Sequence, residues 1–542
     1  MKRLLKPFFI LSFNKLCKII LGLIICLSCN QTLIYDLIIK EGEVYDGTGS
    51  EGVIIDIAIK DDFIVKIGYL DNAKAKRVIN AKGLVVAPGF IDVHTHLEPL
   101  MRLSNCESHI RQGVTTSIGG PDGSSPWPFG KYLDSLKKIG VGMNVGYLIG
   151  HNTVRKNIMG LENRTPSSEE LDKMKQQIIM GMDEGAFGIS TGLKYLPGNF
   201  SQIDEVISLS KEASKKDGIY TSHLRDEGLN VISAVQEAIN ISKEANIPVV
   251  LTHHKLIGKP MWGKSNKTLD LVDSARMVGL NIAIDQYPYD ASYTGISVLI
   301  PTWARAGGQK EFIKRISNPK LKDSIRSGII FNLLNDRGGG DLDRVQFAKV
   351  EWMKELEGKT LKYWCEIKGL DPNLENGAEL VIEAQLNGGA SCVFHAMDEN
   401  DVENIMRHPQ TMIASDGRLV QPGDGHPHPR WYGTFPRVLG YYVREKKILS
   451  LSNAIYKMTF LPAQTFGLRD RGIIKKGMKA DITIFNQNTI IDKSTFDFPH
   501  QYPEGIYYVI VNGQLAIDNE EFKNIKAGNI LRKNTFKESL NQ

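Results

Sequence analysis

The fold of this chain is decided by residues 88–96, which read Pro-Gly-Phe-Ile-Asp-Val-His-Thr-His. The apolar residues after the Pro-Gly turn predict a buried strand. His94 and His96 are two residues apart, so both imidazoles project to the same side of that strand and can hold one metal ion. A bare His-x-His is weak evidence, because paired histidines are also found as structural residues. Its position at the end of an apolar strand favours a metal site.

Strand-like and helical segments alternate through the centre of the chain. The strand-like segments that follow residues 88–96 are 113–118, 145–149, 186–190, 219–222, 249–252, 281–285, 391–394 and 412–414. Helical patterns at 167–184, 203–217 and 229–245 lie between them. This alternation predicts an α/β fold with a parallel sheet, and about eight units favour a (β/α)8 TIM-like barrel. We assign the barrel to residues 86–465, with a mainly polar and helical insertion at about 303–388.

Both ends of the chain have short alternating strands punctuated by turns. This pattern covers residues 29–85 and returns at 466–535. Because the two segments have the same character, we predict that they join into one small β-sandwich beside the barrel.

Further metal-ligand residues stand at the ends of other predicted strands. His223, His253 and Asp416 each follow an apolar strand. Each of these histidines alone is more typical of a structural residue. The carboxyl ends of the strands of a parallel barrel gather at one rim, so these side chains should meet His94 and His96 there.

These motifs resemble those of the D-aminoacylase (N-acyl-D-amino-acid deacylase) family of the amidohydrolase superfamily. The resemblance covers about residues 33–530 and pairs a metal-binding barrel with a β-sandwich built from both chain ends. Its further motifs are Gly-Val-Thr-Thr at 113–116, Ser-Thr-Gly-Leu at 190–193, His-Leu-Arg-Asp-Glu-Gly at 223–228, Thr-His-His-Lys at 252–255, Asp-Gln-Tyr-Pro-Tyr at 285–289 and His-Pro-His-Pro-Arg-Trp-Tyr-Gly-Thr-Phe-Pro-Arg at 426–437.

The resemblance implies a role for each matching residue. The zinc ligands would be His94, His96, His223 and His253, and Asp416 would be the general base. Lys255, Tyr287 and Arg430 would bind the free carboxylate of the substrate. Zinc lowers the pKa of water and polarises a carbonyl, so a protein nucleophile is not needed. The chain has no Gly-x-Ser-x-Gly motif that would support a serine mechanism.

One departure from the family concerns the metal site. The family usually has a metal-binding cysteine after the Gly-Val-Thr-Thr strand, whereas this chain has Asp122. A carboxylate can replace a thiolate as an anionic zinc ligand. Lys194, in contrast, stands where related hydantoinases and dihydroorotases place a carboxylated lysine that bridges two metals. The sequence therefore leaves three alternatives, with one or two zinc ions: an Asp122 ligand, a carboxylated Lys194 bridge, or neither.

The resemblance implies a zinc-dependent hydrolase that cleaves the C–N amide bond of N-acyl-D-amino acids. The Lys194 alternative would suit a dipeptidase or a cyclic-amide hydrolase. A ligand-binding lipoprotein without turnover is a third hypothesis, although such a protein has no need of a base such as Asp416. The acyl group, the side chain, the stereochemistry and the oligomeric state do not follow from the sequence.

The composition argues against a nucleic-acid partner. The chain has 542 residues, 42% hydrophobic and 23% charged, and a net charge of +5. Residues 1–28 contain five lysines and arginines and no acidic residue. The rest of the chain is therefore neutral, without a basic surface for phosphates.

The first residues have the layout of a secretory signal, with a basic start followed by an apolar run at 19–27. Cys26-Leu27-Ser28-Cys29 resembles a bacterial lipobox. We therefore expect an exported protein, anchored to a bacterial membrane through a lipid on Cys29 and facing the periplasm or lying on the outer membrane. An ordinary cleaved signal and an uncleaved anchor are the alternatives. The three cysteines outside this leader are expected to be buried thiols.

Overall fold

The computed structural model describes residues 34–533. The predicted signal peptide, and with it Cys29, lies outside the described residues. Within residues 34–533, every helix is too short or too polar to span a bilayer. Cys106, Cys365 and Cys392 are free and buried, as predicted.

The strands alternate with helices through the middle of the chain and cluster without helices at its ends. The first strands are β1 (Ile34–Val44), β2 (Val53–Lys60), β3 (Phe63–Gly68), β4 (Lys74–Asn80), β5 (Val85–Pro88), β6 (Phe90–Asp92), β7 (Thr95–His96), β8 (Val114–Gly119), β9 (Asn144–Tyr147), β10 (Ile149–Gly150) and β11 (Gly188–Gly192). The remaining strands are β12 (Ile219–His223), β13 (Val249–Leu251), β14 (Ile282–Gln286), β15 (Ser292–Gly295), β16 (Val345–Lys349), β17 (Ser391–Phe394), β18 (Thr411–Ile413), β19 (Gly417–Arg418), β20 (Ile482–Phe485), β21 (Ile506–Val511), β22 (Gln514–Asp518) and β23 (Glu521–Phe522).

The helices between the barrel strands pack against those strands, whereas the helices of the insertion pack mainly against one another. The α-helices are α1 (Glu107–Ile110), α2 (Phe129–Ile139), α3 (His151–Met159), α4 (Ser168–Asp183), α5 (Ile203–Ser214), α6 (Val231–Ala245), α7 (Ser265–Met277), α8 (Thr302–Arg305), α9 (Gln309–Ile316), α10 (Pro319–Asn335), α11 (Leu361–Ile367), α12 (Leu374–Leu386), α13 (Glu399–Arg407), α14 (Arg430–Arg437), α15 (Leu451–Met458) and α16 (Phe460–Phe466). Short 3-10 helices span Glu98–Met101, Gly198–Phe200, Lys259–Met261, Ile296–Leu299, Leu342–Arg344 and Lys354–Leu356, and a π-helix spans Val438–Glu445.

Helix α4 illustrates how the local sequence produces these elements. The side chain of Ser167 accepts a hydrogen bond from the backbone N–H of Glu170, and the Glu170 side chain accepts one from the Ser167 N–H. This capping box satisfies N–H groups that the first helical turn leaves free. Met174, Ile178 and Met182 recur every four residues and are buried on one face. That face packs against the strands.

The parallel strands form a closed ring of neighbours. One set has the order β6-β8-β9 and the other has the order β10-β11-β12-β13-β14-β18. Strands β9 and β10 follow one another directly, separated by Leu148, whose N–H donates to Gly119. Counting β9 and β10 as one strand gives the eight parallel strands that the sequence predicts.

The ring closes between the first and last strands through Asp92 and Ser415. The Ser415 backbone N–H donates to Asp92 Oδ1 at 3.0 Å, and the Ser415 hydroxyl also bonds the Asp92 carboxylate. Immediately beyond, β19 pairs in parallel with β7. The strand that carries His94 is thus fixed beside the strand that leads to Asp416.

One predicted barrel strand is not part of this ring. Residues 391–394 form β17, which pairs antiparallel with both β15 and β16. Strand β16 lies inside the predicted insertion, so this small sheet joins the insertion to the segment after β14. Around it, the fully buried Trp364 packs against Phe347 and Trp352. The insertion therefore adds buried apolar side chains to the core of the barrel and is not wholly helical.

The strands from both ends of the chain join into one sheet, and the sandwich arrangement expected for this part stays a prediction. The sheet has the order β23-β22-β21-β20-β5-β1-β2-β3, with β4 paired to β1. The junction between the two ends is the antiparallel pair β20 and β5. Because β5 continues to Pro88, this sheet extends beyond residue 85, where the sequence placed the end of its N-terminal part.

A buried polar network fixes this sheet against the barrel. The Asp481 carboxylate accepts hydrogen bonds from Arg471 Nη1 at 2.6 Å, from Asn144 Nδ2 at 3.1 Å and from the Asn512 backbone N–H at 2.7 Å. Asn144 belongs to barrel strand β9, whereas Asp481 directly precedes β20 and Asn512 directly follows β21 of the terminal sheet. Asp481 therefore connects the two parts of the fold.

Replacing Asp481 should test the importance of this connection. Asp481→Ala leaves Arg471 buried with only the partly exposed Asp470 as an ionic partner. Breaking a buried ion pair costs about 3–5 kcal/mol of unfolding free energy. The control is Asp518→Ala, which breaks an ion pair with the half-exposed Arg77 and should cost about 0–1 kcal/mol. Urea unfolding measures both variants, and equal losses would contradict the role assigned to Asp481.

Candidate active site

The four predicted ligand histidines, the candidate ligand Asp122 and the predicted general base Asp416 all lie at the carboxyl ends of barrel strands. His94 and His96 follow or end the first strand, and Asp122 follows β8. His223 is the last residue of β12. His253 and Asp416 follow β13 and β18 and complete the set. The barrel thus brings together residues that are more than 300 positions apart in the sequence.

Asp122 lies at the centre of four imidazoles. Its Oδ1 is 3.5 Å from His94 Nε2 and 3.3 Å from His253 Nε2. Its Oδ2 is 3.6 Å from His96 Nε2 and 3.6 Å from His223 Nδ1. One carboxylate therefore faces the ring nitrogens of all four histidines.

Asp416 completes one side of this cluster. Its Oδ1 lies 3.3 Å from His96 Nε2 and 3.6 Å from His94 Nε2. The ligand atoms form two groups, one with His94, His96, Asp122 and Asp416, the other with Asp122, His223 and His253. Asp122 belongs to both groups. It could therefore contact ions held in either position.

The donor atoms of the cluster fit a zinc ion. His94 Nε2, His253 Nε2 and Asp122 Oδ1 are buried, and none has a hydrogen-bond partner within residues 34–533. Buried polar atoms without partners are costly, and a coordinated cation would satisfy them. Imidazole nitrogen and carboxylate oxygen are both common zinc ligands.

Electrostatics favour a cation at the same place. Burial opposes ionisation of Asp122, but His94, His253 and His223 outweigh it and hold the pKa of Asp122 well below its usual value. For His94, burial lowers the pKa, but the carboxylates of Asp122, Asp285 and Asp416 together outweigh burial and raise it to about 10. The carboxylates that attract a proton to His94 would equally attract a metal cation.

Three residues of the cluster have unusual backbone conformations. The φ angles of Asp122, His253 and Asp416 are 54°, 35° and 45°, in the left-handed region. Such a conformation costs about 1–3 kcal/mol for a residue with a side chain. Each of these residues follows a barrel strand by two or three positions. The left-handed conformation turns the chain at the end of the strand and sets the direction of the side chain.

Lys255, Tyr287 and Arg430 line the same cavity, which has a volume of about 470 Å³. The Arg430 guanidinium lies 4.4 Å from the centre of the Tyr287 ring, and Lys255 Nζ lies 5.7 Å from it. Arg430 Nη2 is also 3.0 Å from Asp416 Oδ2. The three predicted carboxylate-binding residues thus lie together, beside the metal-ligand cluster.

The motif at 426–437 positions Arg430. The Arg430 backbone N–H donates to His428 Nδ1 at 3.0 Å, and His428 Nε2 lies 2.9 Å from the Ala291 carbonyl. Burial and the nearby Arg430 hold the pKa of His428 well below its usual value, so His428 is neutral. A neutral ring with Nε2 as donor and Nδ1 as acceptor satisfies both contacts.

Comparison with known proteins agrees with this arrangement. The sequence profile of the Amidohydrolase family matches residues 77–289 and 377–517. D-aminoacylase from Alcaligenes xylosoxydans xylosoxydans is 34% identical over 92% of this chain and 97% of its own. The chain belongs to the amidohydrolase family.

Two solved structures identify the group of amidohydrolases to which this chain is similar. N-acyl-D-glutamate deacylase from Bordetella bronchiseptica, crystallised with zinc and a phosphonate inhibitor, is 30% identical and has a TM-score of 0.78. A crystal structure of D-aminoacylase is 32% identical, with a TM-score of 0.79. Each covers 92% of this chain and 100% of its own. The resemblance to the D-aminoacylases is confirmed, and with it the α/β fold class.

Lys194 does not lie where a metal-bridging lysine of an amidohydrolase would have to lie. Strand β11 ends at Gly192, and Lys194 stands in the turn that follows. Its Nζ is 3.2 Å from Asp336 Oδ2, and it lines a separate cavity beside Arg305. The position of Lys194 therefore does not fit the proposed carboxylated bridge. Of the two candidates, Asp122 has the position of a ligand.

Two buried charged residues of the cavity were not singled out from the sequence. Glu227 contacts His223, His253 and Lys255. Glu227 stands four residues after His223 in the His-Leu-Arg-Asp-Glu-Gly motif, and this proximity to a predicted ligand could have identified it as a site residue. Arg337 reaches the cavity from the insertion, where no sequence pattern pointed to a site residue.

Replacing Asp122 should distinguish the two candidate ligands. Asp122→Ala should weaken zinc binding by more than the roughly 10- to 100-fold that outer-shell partners contribute, because it removes a direct ligand. Asp122→Cys should retain zinc, since a thiolate is also a zinc ligand. Lys194→Met serves as the control and should leave zinc affinity unchanged. Chelator competition measures all three, and loss of zinc in Lys194→Met would restore the bridging hypothesis.

Proposed function

We propose that this amidohydrolase is a zinc-dependent N-acyl-D-amino-acid deacylase that hydrolyses the C–N amide bond of its substrate. The observation that carries the proposal is the position of Asp416. Its Oδ1 lies beside the metal-ligand histidine His96, and its Oδ2 lies beside Arg430. One carboxylate thus stands between a metal site and a carboxylate-binding site, in a single cavity.

The relatives support the substrate class. They include D-aminoacylase, N-acyl-D-glutamate deacylase and N-acyl-D-aspartate deacylase, which are 34%, 33% and 31% identical to this chain. This chain covers at least 95% of the length of each. All three names describe removal of an acyl group from an amino acid.

The zinc ligands would be His94, His96, His223, His253 and Asp122. When bound, zinc supplies Lewis-acid chemistry, because it acidifies water and polarises an amide carbonyl. The barrel walls leave these residues almost fully buried, except for His96, whose side chain is 26% exposed. His96 therefore faces the open side of the cavity.

Asp416 is placed to move the proton. Burial opposes its ionisation, but Arg430, His96 and His94 outweigh burial and hold the pKa of Asp416 below its usual value. As an ionised carboxylate it can accept a proton from the attacking water. Returning that proton to the departing amine nitrogen completes hydrolysis.

Arg430, Tyr287 and Lys255 would hold the α-carboxylate of the substrate. Arg430 is 2% exposed, and its Nε and Nη1 have no hydrogen-bond partner in the part of the chain that the structure describes. A guanidinium with two free N–H groups is suited to a bidentate contact with a carboxylate. Lys255 adds a second positive charge nearby.

The alternative functions are less well supported. A dipeptidase or a cyclic-amide hydrolase with a carboxylated lysine would need Lys194 in the metal cluster, and Lys194 is bonded to Asp336 instead. A binding protein without turnover would have no use for a strained and ionised Asp416. Both alternatives predict different results in the experiment below.

Activity should be measured on protein lacking residues 1–29, with N-acetyl-D-amino acids, their L enantiomers, dipeptides and hydantoins. We expect release of the free amino acid from the D substrates, lost on chelation and restored by zinc. Asp416→Asn should reduce turnover by about 10²- to 10⁴-fold while zinc stays bound. Turnover of dipeptides or hydantoins alone would replace the proposed substrate. Near-normal turnover by Asp416→Asn would remove Asp416 from the mechanism.

We also propose that the protein is exported and held at a bacterial membrane by a lipid on Cys29. Support comes from the sequence, in which the basic start and the apolar run at 19–27 lead to the lipobox-like residues 26–29. A single acyl chain binds membranes only weakly, so stable anchoring would need more than one chain.

Replacing the lipid site tests this second proposal. Cys29→Ala should shift the protein from the membrane fraction to the soluble fraction, or block processing of the leader, because no thiol remains to be modified. Cys106→Ala, which removes a buried thiol of the barrel, is the matched control and should stay with the membrane fraction. Unchanged membrane retention of Cys29→Ala would argue against lipidation.

A further inference from the structure

Glu227 is a buried carboxylate on the outer side of the metal-ligand cluster. It is 2% exposed. Its Oε1 is 3.0 Å from His253 Nδ1, and its Oε2 is 3.6 Å from His223 Nε2. In each of these two rings, the nitrogen that faces Glu227 is the one that does not face Asp122. Glu227 therefore contacts two of the four histidines from behind.

These contacts bear on the tautomer of His253. His253 Nε2 faces Asp122 at 3.3 Å, so Nε2 must offer its lone pair if the ring is to bind a metal there. The proton of the neutral ring must then be on Nδ1, which needs a hydrogen-bond acceptor. Glu227 Oε1 is that acceptor. For His223 the roles of the two nitrogens are exchanged, with Nδ1 towards Asp122 and Nε2 towards Glu227.

Lys255 favours the opposite tautomer of His253. Its Nζ is 2.7 Å from His253 Nδ1 and 2.8 Å from the His253 carbonyl. An ammonium group can only donate hydrogen bonds. A bond from Lys255 to Nδ1 therefore requires a bare Nδ1 and puts the ring proton on Nε2, where it blocks a metal. Glu227 and Lys255 compete for one nitrogen.

Glu227 is itself held from two sides. It bonds the Lys255 ammonium directly, and Arg337 Nη2 lies 3.6 Å from its Oε2. Arg337 is fixed in turn by donating from Nη1 to Ser292 Oγ at 2.7 Å. The insertion thus anchors the carboxylate through Arg337.

We infer that Glu227 is a positioning residue that selects the metal-binding tautomer of His253 against Lys255. The inference rests on the proposed zinc site. It has a consequence for substrate binding. When His253 Nδ1 donates to Glu227, Lys255 can no longer donate to that nitrogen. Its ammonium group then bonds Glu227 and can donate its remaining hydrogens into the cavity. Metal binding and the orientation of a carboxylate-binding residue are then linked through one side chain.

The test is the zinc affinity of the metal-free enzyme, measured by chelator competition without any substrate. Glu227→Gln should weaken zinc binding by about 10- to 100-fold, as loss of an outer-shell carboxylate does elsewhere. Lys255→Met should not weaken it, because the competitor for Nδ1 is removed. Glu244→Gln makes the same chemical change on the exposed face of α6 and should leave the affinity unchanged.

The double variant Glu227→Gln with Lys255→Met makes the inference specific. If the two residues compete for Nδ1, the loss caused by Glu227→Gln should be smaller when Lys255 is absent. An equal loss in both backgrounds would overturn the competition, and an unchanged zinc affinity in Glu227→Gln would overturn the positioning role. The double variant also removes a buried cation that Glu227→Gln alone would leave uncompensated, so it remains informative if the single variant does not fold.

Because no substrate is present, the zinc measurement is independent of the proposed activity. An enzyme that binds zinc as expected but cleaves no N-acyl-D-amino acid would refute the proposed function and leave the role of Glu227 standing. The reverse result, a normal deacylase whose zinc affinity ignores Glu227, would refute only the inference. Near-ultraviolet circular dichroism of each metal-free variant checks that the fold is retained.

Discussion

The burial of the Asp122 carboxylate is the constraint on which this site depends. A buried anion is tolerated only where positive charge or hydrogen-bond donors surround it. Here four histidine rings from three separate strands converge on Asp122. Those rings can balance the anion as protonated imidazoles or as ligands of a shared cation. If the histidines bind a shared cation, that cation both neutralises the buried Asp122 carboxylate and supplies the positive charge that the hydrolysis needs.

The barrel makes this convergence possible because its first and last strands are joined. Asp92 accepts hydrogen bonds from both the backbone and the side chain of Ser415. It also accepts a bond from the His94 backbone N–H at 3.3 Å. One carboxylate therefore fixes the strand that carries His94 and the segment that leads to Asp416. The same group therefore closes the barrel and sets the spacing between a proposed metal ligand and the proposed base.

The sequence patterns located residues at the ends of barrel strands, but they did not locate residues in the long insertion. His223 ends its apolar strand. His94, His253 and Asp416 follow theirs by two or three residues, so the barrel rule places all four together. The segment 391–394 has the same apolar pattern as a barrel strand, but its partners β15 and β16 are set by the insertion, which periodicity does not reveal. Arg337, which also lies in the insertion, lines the cavity although no periodic pattern predicts its position. Lys194 follows its strand by two residues, as His94 and His253 do, so spacing alone does not separate it from the ligands. The path of the turn after the strand decides its position.

The proposed metal site and the proposed carboxylate site are parts of one polar network. Lys255 contacts Glu227 and a ligand histidine, and Arg430 contacts Asp416 and the ring of Tyr287. Two of the three residues that would bind the substrate carboxylate, Lys255 and Arg430, are therefore already bonded to groups proposed to hold the metal or move the proton. A substrate carboxylate that draws Arg430 towards itself would loosen its hold on Asp416. Because Arg430 is the largest influence lowering the pKa of Asp416, that shift would make Asp416 a stronger base when substrate is bound.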